Sequence, residues 1–316
     1  MLRIGALGRT DLNVSGLCLG TMHFGTREDS RASYAVLDRF VEEGGNFLDS
    51  ANAYAAWLGK GGESETLLGA WMNDRANRRN LVIATKVGCA YADVEAGVTP
   101  ARIIAECDRS LRRLGTDVID LYYAHVDDRS TPMEAQLEAF DSLVRAGKVR
   151  YVGASNFRAW RLAEAEASSA TRRVVSFSCV QQRFSYLRPR VDAELETHMQ
   201  CNDDLFDFCR SRALPVLGYS PLLGGAYGRR NVQLPRIYAH ADTVGRLSVL
   251  DRVAHDLSLQ PEQVVLAWVV ANGVLPICGA SSPEQISANV VGATFGLSPE
   301  LLERLNQAGD GQATNE

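Results

Sequence analysis

Lysine is scarce in this sequence of 316 residues, with three lysines against thirty arginines. Acidic residues still outnumber basic ones, and the net charge is -5. This balance gives no electrostatic reason to bind nucleic acid or an anionic membrane, so we expect neither partner. Because lysines are so few, Lys86, which ends the apolar run 81–85, is unlikely to be surface charge and becomes a candidate functional residue.

Several sequence patterns are also missing. The seven cysteines show no CxxC pair and no zinc-ligand spacing, so we expect reduced thiols in a cytoplasmic protein and no metal site. The amino terminus lacks the apolar stretch of a signal peptide. The longest apolar region, 264–277, is interrupted by Asn272, Gly273 and Pro276, so it is not expected to span a bilayer.

Strand-like and helix-like segments alternate along the chain. The eight predicted strands cover residues 14–20, 46–49, 81–86, 118–125, 149–155, 174–181, 215–220 and 274–280. This alternation favours parallel strands closed into a (β/α)8 TIM barrel. An open doubly wound sheet is less well supported, since residues 20–25 (GTMHFG) lack its Gly-rich phosphate fingerprint.

Segments outside the barrel pattern complete the predicted fold. Residues 2–12 predict a hairpin ahead of the barrel, and residues 283–291 and 299–308 predict additional helices at the carboxyl terminus. No linker or repeat divides the chain. We therefore expect residues 1–316 to form a single catalytic domain.

The carboxyl ends of three predicted strands carry side chains suited to proton transfer. Asp49 and Tyr54 follow the second strand, Lys86 ends the third and His125 ends the fourth. In a TIM barrel these ends meet at one mouth, where the chemistry takes place. A buried ammonium near a phenol favours the phenolate, so we expect Lys86 to lower the pKa of Tyr54. Asp49 would keep Lys86 charged.

These four side chains suit the reduction of a carbonyl. Tyr54 would be the general acid, Lys86 and Asp49 would tune it, and His125 would orient the carbonyl oxygen; such acid catalysis contributes about 10²–10⁴-fold. The hydride must come from a cofactor, because no side chain supplies one. Two plainer interpretations remain: Lys86 in a structural salt bridge, and His125 with Asp127 in a metal-dependent hydrolase, for which further ligands are missing.

The sequence resembles the aldo-keto reductases over nearly its whole length. The matching motifs, in the order usual for that family, are LGT at 19–21, DSANAY at 49–54, ESETLLG at 63–69, ATK at 84–86, LYYAHVD at 121–127, GKVR at 147–150 with VGASNF at 152–157, YSPL at 219–222, and GASSPEQ at 279–285 followed by Asn289. The resemblance implies reduction of a small aldehyde or ketone by NAD(P)H, bound extended across the barrel mouth. NADPH is the usual cofactor and NADH is possible.

The resemblance also implies roles at individual positions. Ser155, Asn156 and Gln181 resemble the residues that bind the carboxamide, and Tyr219 resembles the aromatic that stacks on the nicotinamide. Further implied cofactor contacts are Gly20, Thr21, Met22 and Asp49 at the mouth, Ser220, Leu222 and Gly224 in the pyrophosphate loop, and Gly279, Ser281, Gln285 and Asn289 at the adenosine end. The expected substrate pocket comprises His23, Trp57, Tyr91 and Phe184.

Three positions depart from the family pattern. Ala55 replaces the glycine that usually follows the catalytic tyrosine, which we expect to reshape the pocket, and Phe184 replaces a tyrosine. Ser281 replaces an arginine beside the adenosine 2′-phosphate, so that phosphate would rely on hydroxyls, backbone N–H groups or an arginine from elsewhere, such as Arg229 or Arg230. The preference between NADPH and NADH therefore stays open.

A different class of function is also compatible with the sequence. A cofactor-binding regulatory or redox-sensing subunit, similar to the potassium-channel beta subunits of the same family, would share the scaffold but turn over little. The intact set Asp49, Tyr54, Lys86 and His125 favours the enzyme. No coiled coil or apolar patch indicates an oligomeric state.

Overall fold

The fold is a closed barrel of parallel strands preceded by a hairpin. We describe it from a computed structural model that covers residues 1–195, 197–228 and 233–309. The strands are β1 Ile4–Ala6, β2 Asn13–Ser15, β3 Cys18–Gly20, β4 Phe47–Asp49, β5 Val82–Val87, β6 Ile119–Ala124, β7 Val149–Ser155, β8 Val180–Arg183, β9 Val216–Tyr219 and β10 Val274–Cys278. Strands β3 to β10 pair in parallel and in chain order, and β10 closes on β3. The predicted (β/α)8 barrel with an amino-terminal hairpin is confirmed.

Helices surround the barrel in the described part of the chain. They are α1 Ser30–Glu42, α2 Glu63–Arg75, α3 Pro100–Leu114, α4 Met133–Arg145, α5 Ala159–Arg172, α6 Asp203–Arg212, α7 Ala241–Leu257, α8 Pro261–Ala271, α9 Pro283–Thr294 and α10 Pro299–Asn306. Their starts follow local signals: Thr99 caps α3 by accepting from the Arg102 N–H, and Pro100 occupies the first turn. Within these described residues, no helix has the length and apolar character needed to cross a membrane.

Successive side chains of each strand point to opposite faces of the sheet, which produces two hydrophobic layers. The inner layer, which fills the barrel, includes Phe47, Val82, Leu121 and Leu217. Residues one position along the strands face outward and pack against the helices in a second, larger cluster. Polar residues at the carboxyl ends of the strands therefore lie above a closed apolar floor.

The hairpin β1–β2 covers the other end of the barrel. Its residues Leu7, Leu12 and Val14 are buried in the inner cluster. Arg150 on β7 donates to the Asp11 carboxylate at 2.9 Å, which attaches the hairpin turn to the barrel. Side chains of the hairpin thus complete the inner core from below.

Two predicted strands have different bounds in the structure. Residues 14 and 15, predicted to start the first barrel strand, belong instead to β2 and pair with β1 in the hairpin, and the barrel strand begins at Cys18. The strand predicted at 174–181 is β8, and it begins at Val180 and extends to Arg183. The Val175 N–H donates to Asp141 on α4 at 3.0 Å, which holds this earlier segment at the helix layer.

Candidate active site

The ends of β4 and β5 bring three predicted catalytic residues into direct contact. The Lys86 ammonium donates to Asp49 Oδ2 at 2.6 Å, to Tyr54 Oη at 2.5 Å and to the Ser50 carbonyl at 2.7 Å. Tyr54 Oη in turn donates to Asp49 Oδ2 at 2.6 Å. Lys86 has no exposed surface and Asp49 is 1% exposed. All three ammonium protons therefore have acceptors, as a buried charge requires.

Gln181 supports this group from the opposite wall of the barrel. It lies on β8, four strands away from β4 in the closed order. Its Nε2 donates to Asp49 Oδ1 at 2.9 Å. Both carboxylate oxygens of Asp49 are therefore occupied, and the carboxylate is fixed toward Lys86 and Tyr54.

Burial controls the protonation of the group. Burial, and then the negative charge of Asp49, raise the pKa of Tyr54 well above its ordinary value. Burial also lowers the pKa of Lys86, and the Asp49 carboxylate opposes that shift. The expectation of a lowered Tyr54 pKa is therefore wrong for this arrangement, because burial of the phenol and the charge of Asp49 both raise it. The phenol keeps its proton at neutral pH.

His125 lies beside the phenol. The two ring centroids are 6.0 Å apart in an edge-to-face arrangement. Burial, followed by the positive charge of Lys86, lowers the pKa of His125 well below its ordinary value, so the imidazole is neutral. Its buried Nδ1 has no hydrogen-bond partner among the described residues. A neutral imidazole retains one N–H donor, which suits a hydrogen bond to a carbonyl oxygen.

The residues predicted to bind a carboxamide join neighbouring strand ends. The Asn156 amide donates to the His125 carbonyl at 3.0 Å and to Ser155 Oγ at 3.1 Å. Its Oδ1 accepts from Tyr219 Oη at 2.8 Å. These contacts fix the phenol ring of Tyr219, which faces the barrel interior at the mouth. Whether Ser155, Asn156 and Gln181 contact a carboxamide stays a prediction.

Glycine-rich backbone follows β9 and flanks β10. Gly224 adopts a φ of 70°, and a Cβ added there would meet no atom within 4 Å. A Cβ on Gly279 would meet only the Gly20 carbonyl, at 3.6 Å. Such open backbone lets a phosphate approach closely. Ser220 and Leu222 belong to the same turn, in which the Leu223 N–H donates to the Ser220 carbonyl at 3.3 Å.

The predicted adenosine end lies at the start of α9. Gln285 Oε1 accepts from the Ser281 N–H at 2.8 Å, while Ser282 caps the helix. Asn289 is buried on the same helix. The open backbone at Gly224 and the polar groups at this helix start fit an extended dinucleotide. NAD(P)H bound across this surface would supply the hydride that no side chain provides.

Two predicted contact residues have other surroundings. Thr21 is fully buried, and its hydroxyl donates to the Asp49 carbonyl at 3.0 Å. Tyr91 Oη donates to Glu106 Oε2 at 2.5 Å, and its ring packs against the backbone at Gly61. Both side chains brace the loops around the site, so the predicted ligand contacts through them are wrong.

Phe184 lies outside the barrel. It stacks on Trp268 with ring centroids 4.9 Å apart and meets Phe206 edge-to-face at 5.4 Å. Its predicted place in the substrate pocket is wrong, because residue 184 is an odd number of positions from Gln181 and so faces the helices.

The remaining predicted pocket residues lie on the loops after β3 and β4. Trp57 is 65% exposed, and its ring meets that of His23 edge-to-face at 6.3 Å. Met22 beside them is also exposed. Their contact with a substrate stays a prediction.

Ala55 is buried, and the expectation that it reshapes the pocket stays a prediction. Its φ is 52°, a conformation that glycine adopts without steric cost. The departure from glycine therefore changes local backbone strain.

A buried network behind the mouth anchors the loop that carries Tyr54. Asn52 is fully buried, and its amide donates to Glu106 Oε2 at 2.8 Å. Arg113 donates to the buried Glu65 at 2.6 Å beside it. Sequence reasoning missed this network because its members lie far apart in the chain.

Two further residues at the mouth were not predicted. Arg183 lies two positions beyond Gln181 and shares its inward face, and strand alternation from Gln181 would have found it. His198 Nδ1 lies 3.0 Å from Tyr219 Oη, in an irregular segment without a periodic signal. Arg229 and Arg230, considered above as phosphate ligands, lie outside the described residues. Within residues 1–195, 197–228 and 233–309, no group of three or more His, Cys, Asp or Glu side chains is arranged to hold a metal ion.

Comparison with known proteins agrees with this geometry. A model of the aldo/keto reductase family matches residues 16–310. The chain belongs to this family, whose members are oxidoreductases. It is 34% identical to the uncharacterized oxidoreductase YrpG of Bacillus subtilis (strain 168), covering 95% of this chain and 94% of that protein.

Fungal relatives carry more specific names. The chain is 30% identical to the norsolorinic acid reductase stcV of Emericella nidulans, over 92% of this chain and 77% of that protein. It is 27% identical to the aryl-alcohol dehydrogenase GME11368 of Pestalotiopsis microspora, over 95% of this chain and 80% of that protein. Family and relatives together support NAD(P)H-dependent carbonyl reduction in general terms.

Proposed function

We propose that the protein reduces an aldehyde or ketone to an alcohol with NADPH as its usual cofactor, NADH being the alternative, and with Tyr54 as the general acid. The observation that carries this assignment is the contact of Tyr54 Oη with both Lys86 Nζ at 2.5 Å and Asp49 Oδ2 at 2.6 Å. Burial raises the pKa of Tyr54, so the phenol carries the proton that a general acid must donate.

Each side chain then has a defined part. His125 donates a hydrogen bond to the carbonyl oxygen and orients it toward Tyr54. As charge develops on that oxygen, Tyr54 Oη transfers its proton to it. The Lys86 ammonium stabilises the resulting phenolate, and Asp49 holds that ammonium charged and in place. NAD(P)H, when bound, supplies the hydride to the carbonyl carbon.

An aromatic carbonyl compound suits the exposed rim best. Trp57 presents its indole at the mouth with His23 against it, and flat apolar rings pack well on such a surface. One relative is named an aryl-alcohol dehydrogenase, which supports the same substrate class. All seven cysteines are free thiols, in keeping with a cytoplasmic location.

The assignment is tested by following nicotinamide oxidation over a panel of aldehydes and ketones, with NADPH and with NADH. Tyr54→Phe should lower kcat by about 10²–10⁴-fold and leave the Kd of the cofactor unchanged. Tyr34→Phe is the matched control, since Tyr34 makes one exposed hydrogen bond to Asp74 and lies outside the site.

Other outcomes would separate the alternatives. Cofactor binding with no turnover of any carbonyl would favour a regulatory or redox-sensing subunit. Unchanged turnover by Tyr54→Phe would remove Tyr54 from the role of acid. Failure to bind either nucleotide would refute both functions.

A further inference from the structure

Arg183 is a cation at the mouth that the catalytic group does not use. It ends β8 and lies in register with Tyr219 on β9. Alternation places it on the same inward face as Gln181, whose side chain reaches Asp49. One strand residue rises about 3.3 Å, so Arg183 begins about 7 Å farther out toward solvent than Gln181.

The guanidinium of Arg183 has an incomplete set of partners. Among the described residues it forms no ion pair with a carboxylate, and its buried Nε has no hydrogen-bond acceptor. Its side-chain bonds go to neutral hydroxyls: Nη1 donates to Tyr238 Oη over a long 3.5 Å, and the guanidinium also bonds to the Tyr219 phenol. A buried donor without an acceptor costs free energy that a ligand can recover.

Arg246 shows what a structural arginine looks like in the same protein. Arg246 is buried and pairs with no carboxylate among the described residues, yet its Nε donates to the Tyr186 carbonyl at 2.8 Å and its Nη1 to the Ala308 carbonyl at 2.7 Å. Those bonds tie the α7 helix to neighbouring segments. Arg183 lacks comparable acceptors, so packing alone does not explain its position.

We propose that Arg183 binds the pyrophosphate of the nicotinamide cofactor. This inference rests on the proposed function and assigns a residue that the family resemblance did not. Arginine presents a planar set of donors that matches two phosphate oxygens at once. The open backbone at Gly224, which follows Tyr219 on the same side of the mouth, leaves room for the phosphate to approach.

The position of Arg183 selects the pyrophosphate over other anions. The nicotinamide must lie next to Tyr54 for hydride transfer, and one ribose separates that ring from the first phosphate. Arg183 lies two strand residues, about 7 Å, farther toward solvent than Gln181, which contacts the catalytic group. This offset matches the short distance from the nicotinamide ring to the first phosphate. The 2′-phosphate of NADPH is at the far end of the extended dinucleotide. If the substrate lies against Trp57, as proposed above, its carboxylate lies near the loop after β4, and β4 is opposite β8 in the barrel.

The test compares Arg183→Met with wild type by calorimetric titration of NADPH and of NADH. We expect both Kd values to rise by about 10- to 100-fold and by similar factors, because both nucleotides carry the same pyrophosphate. The Kd values of Arg183→Lys should lie between those of wild type and Arg183→Met, since lysine keeps the charge and loses the paired donors. Arg79→Met is the charge-matched control at an exposed position ahead of β5, and it should bind as wild type does.

A second measurement identifies the anion. KM values for benzaldehyde and carboxybenzaldehyde, taken at saturating cofactor, should keep their wild-type ratio in Arg183→Met. A loss confined to carboxybenzaldehyde would overturn the inference in favour of a substrate carboxylate, and a loss confined to NADPH would overturn it in favour of the 2′-phosphate. Unchanged Kd values, with circular dichroism showing a folded variant, would also refute it. Failure of wild type to bind either nucleotide would instead refute the proposed function.

Discussion

Replacement of Lys86 by methionine should damage stability as well as catalysis. The substitution removes three hydrogen bonds and leaves the Asp49 carboxylate buried, with only the neutral donors of Tyr54 and Gln181. Breaking a buried ion pair by removing one partner costs about 3–5 kcal/mol. We expect a loss of that size in the free energy of unfolding, together with loss of carbonyl reduction.

A paired substitution distinguishes the charge effect from lost packing. Adding Asp49→Asn to Lys86→Met removes the isolated charge, and a neutral pair of similar volume is often tolerated. The free energy of unfolding of the double variant should therefore lie within about 1–2 kcal/mol of the wild-type value, and the double variant should still be inactive. Stability without activity would show that the pair is retained for chemistry.

Equilibrium urea unfolding, followed by circular dichroism, measures each free energy. Lys148→Met is the control, because Lys148 forms a half-exposed pair with Asp108 at 2.6 Å and such pairs contribute about 0–1 kcal/mol. The reasoning fails if Lys86→Met costs no more than this control. It also fails if the double variant is no more stable than Lys86→Met.

Three further predictions follow from the site and its surroundings. Tyr91→Phe removes the hydroxyl that donates to Glu106 and should lower the free energy of unfolding in urea by about 1.5–3 kcal/mol. The KM for the carbonyl substrate should not change. A raised KM with unchanged stability would instead show that Tyr91 contacts the substrate. Phe184→Ala should cost about 3–5 kcal/mol, again without a change in KM, and a small cost would contradict its packing against the helices. Burial lowers the pKa of His125, so its neutral form stabilises the native state above about pH 6.5, and this contribution is lost as the pH falls, with a slope of up to about 1.4 kcal/mol per pH unit. His125→Gln should flatten that dependence, and parallel profiles for the two proteins would refute the assignment.

The sequence predicted the barrel, and it also predicted that Asp49, Tyr54 and Lys86 lie together, because their positions depend on local patterns. Asp49, Lys86 and His125 each follow a buried apolar run, and parallel strands bring such ends to one mouth whatever the exact strand bounds. Tyr54 follows in a loop whose position depends on Asn52 and Glu106, far apart in sequence. The sequence predicted that Tyr54 lies near the end of β4. It did not predict the contact between Asn52 and Glu106 that holds the loop in place.

Errors arose where register decided the side a residue faces. A strand predicted to end at residue 181 does not show which face of the sheet the next residues lie on. Phe184 was therefore predicted to line the substrate pocket, and Arg183 was overlooked. In the observed strand Val180–Arg183, Arg183 shares the inward face of Gln181, and Phe184 lies on the opposite side. The direction of the Tyr54 pKa shift was also missed, because it depends on how deeply the phenol is buried, and sequence patterns do not measure depth.

The hairpin that closes the lower end of the barrel also bears on proton supply. Leu7, Leu12 and Val14 fill that end, and the inner apolar cluster separates it from the catalytic group. If Tyr54 is the general acid, as proposed, its phenolate regains a proton from water at the mouth, the same opening through which the ligands pass. Reprotonation and ligand exchange would then share one route, and each turnover would include an interval in which the mouth is open to solvent.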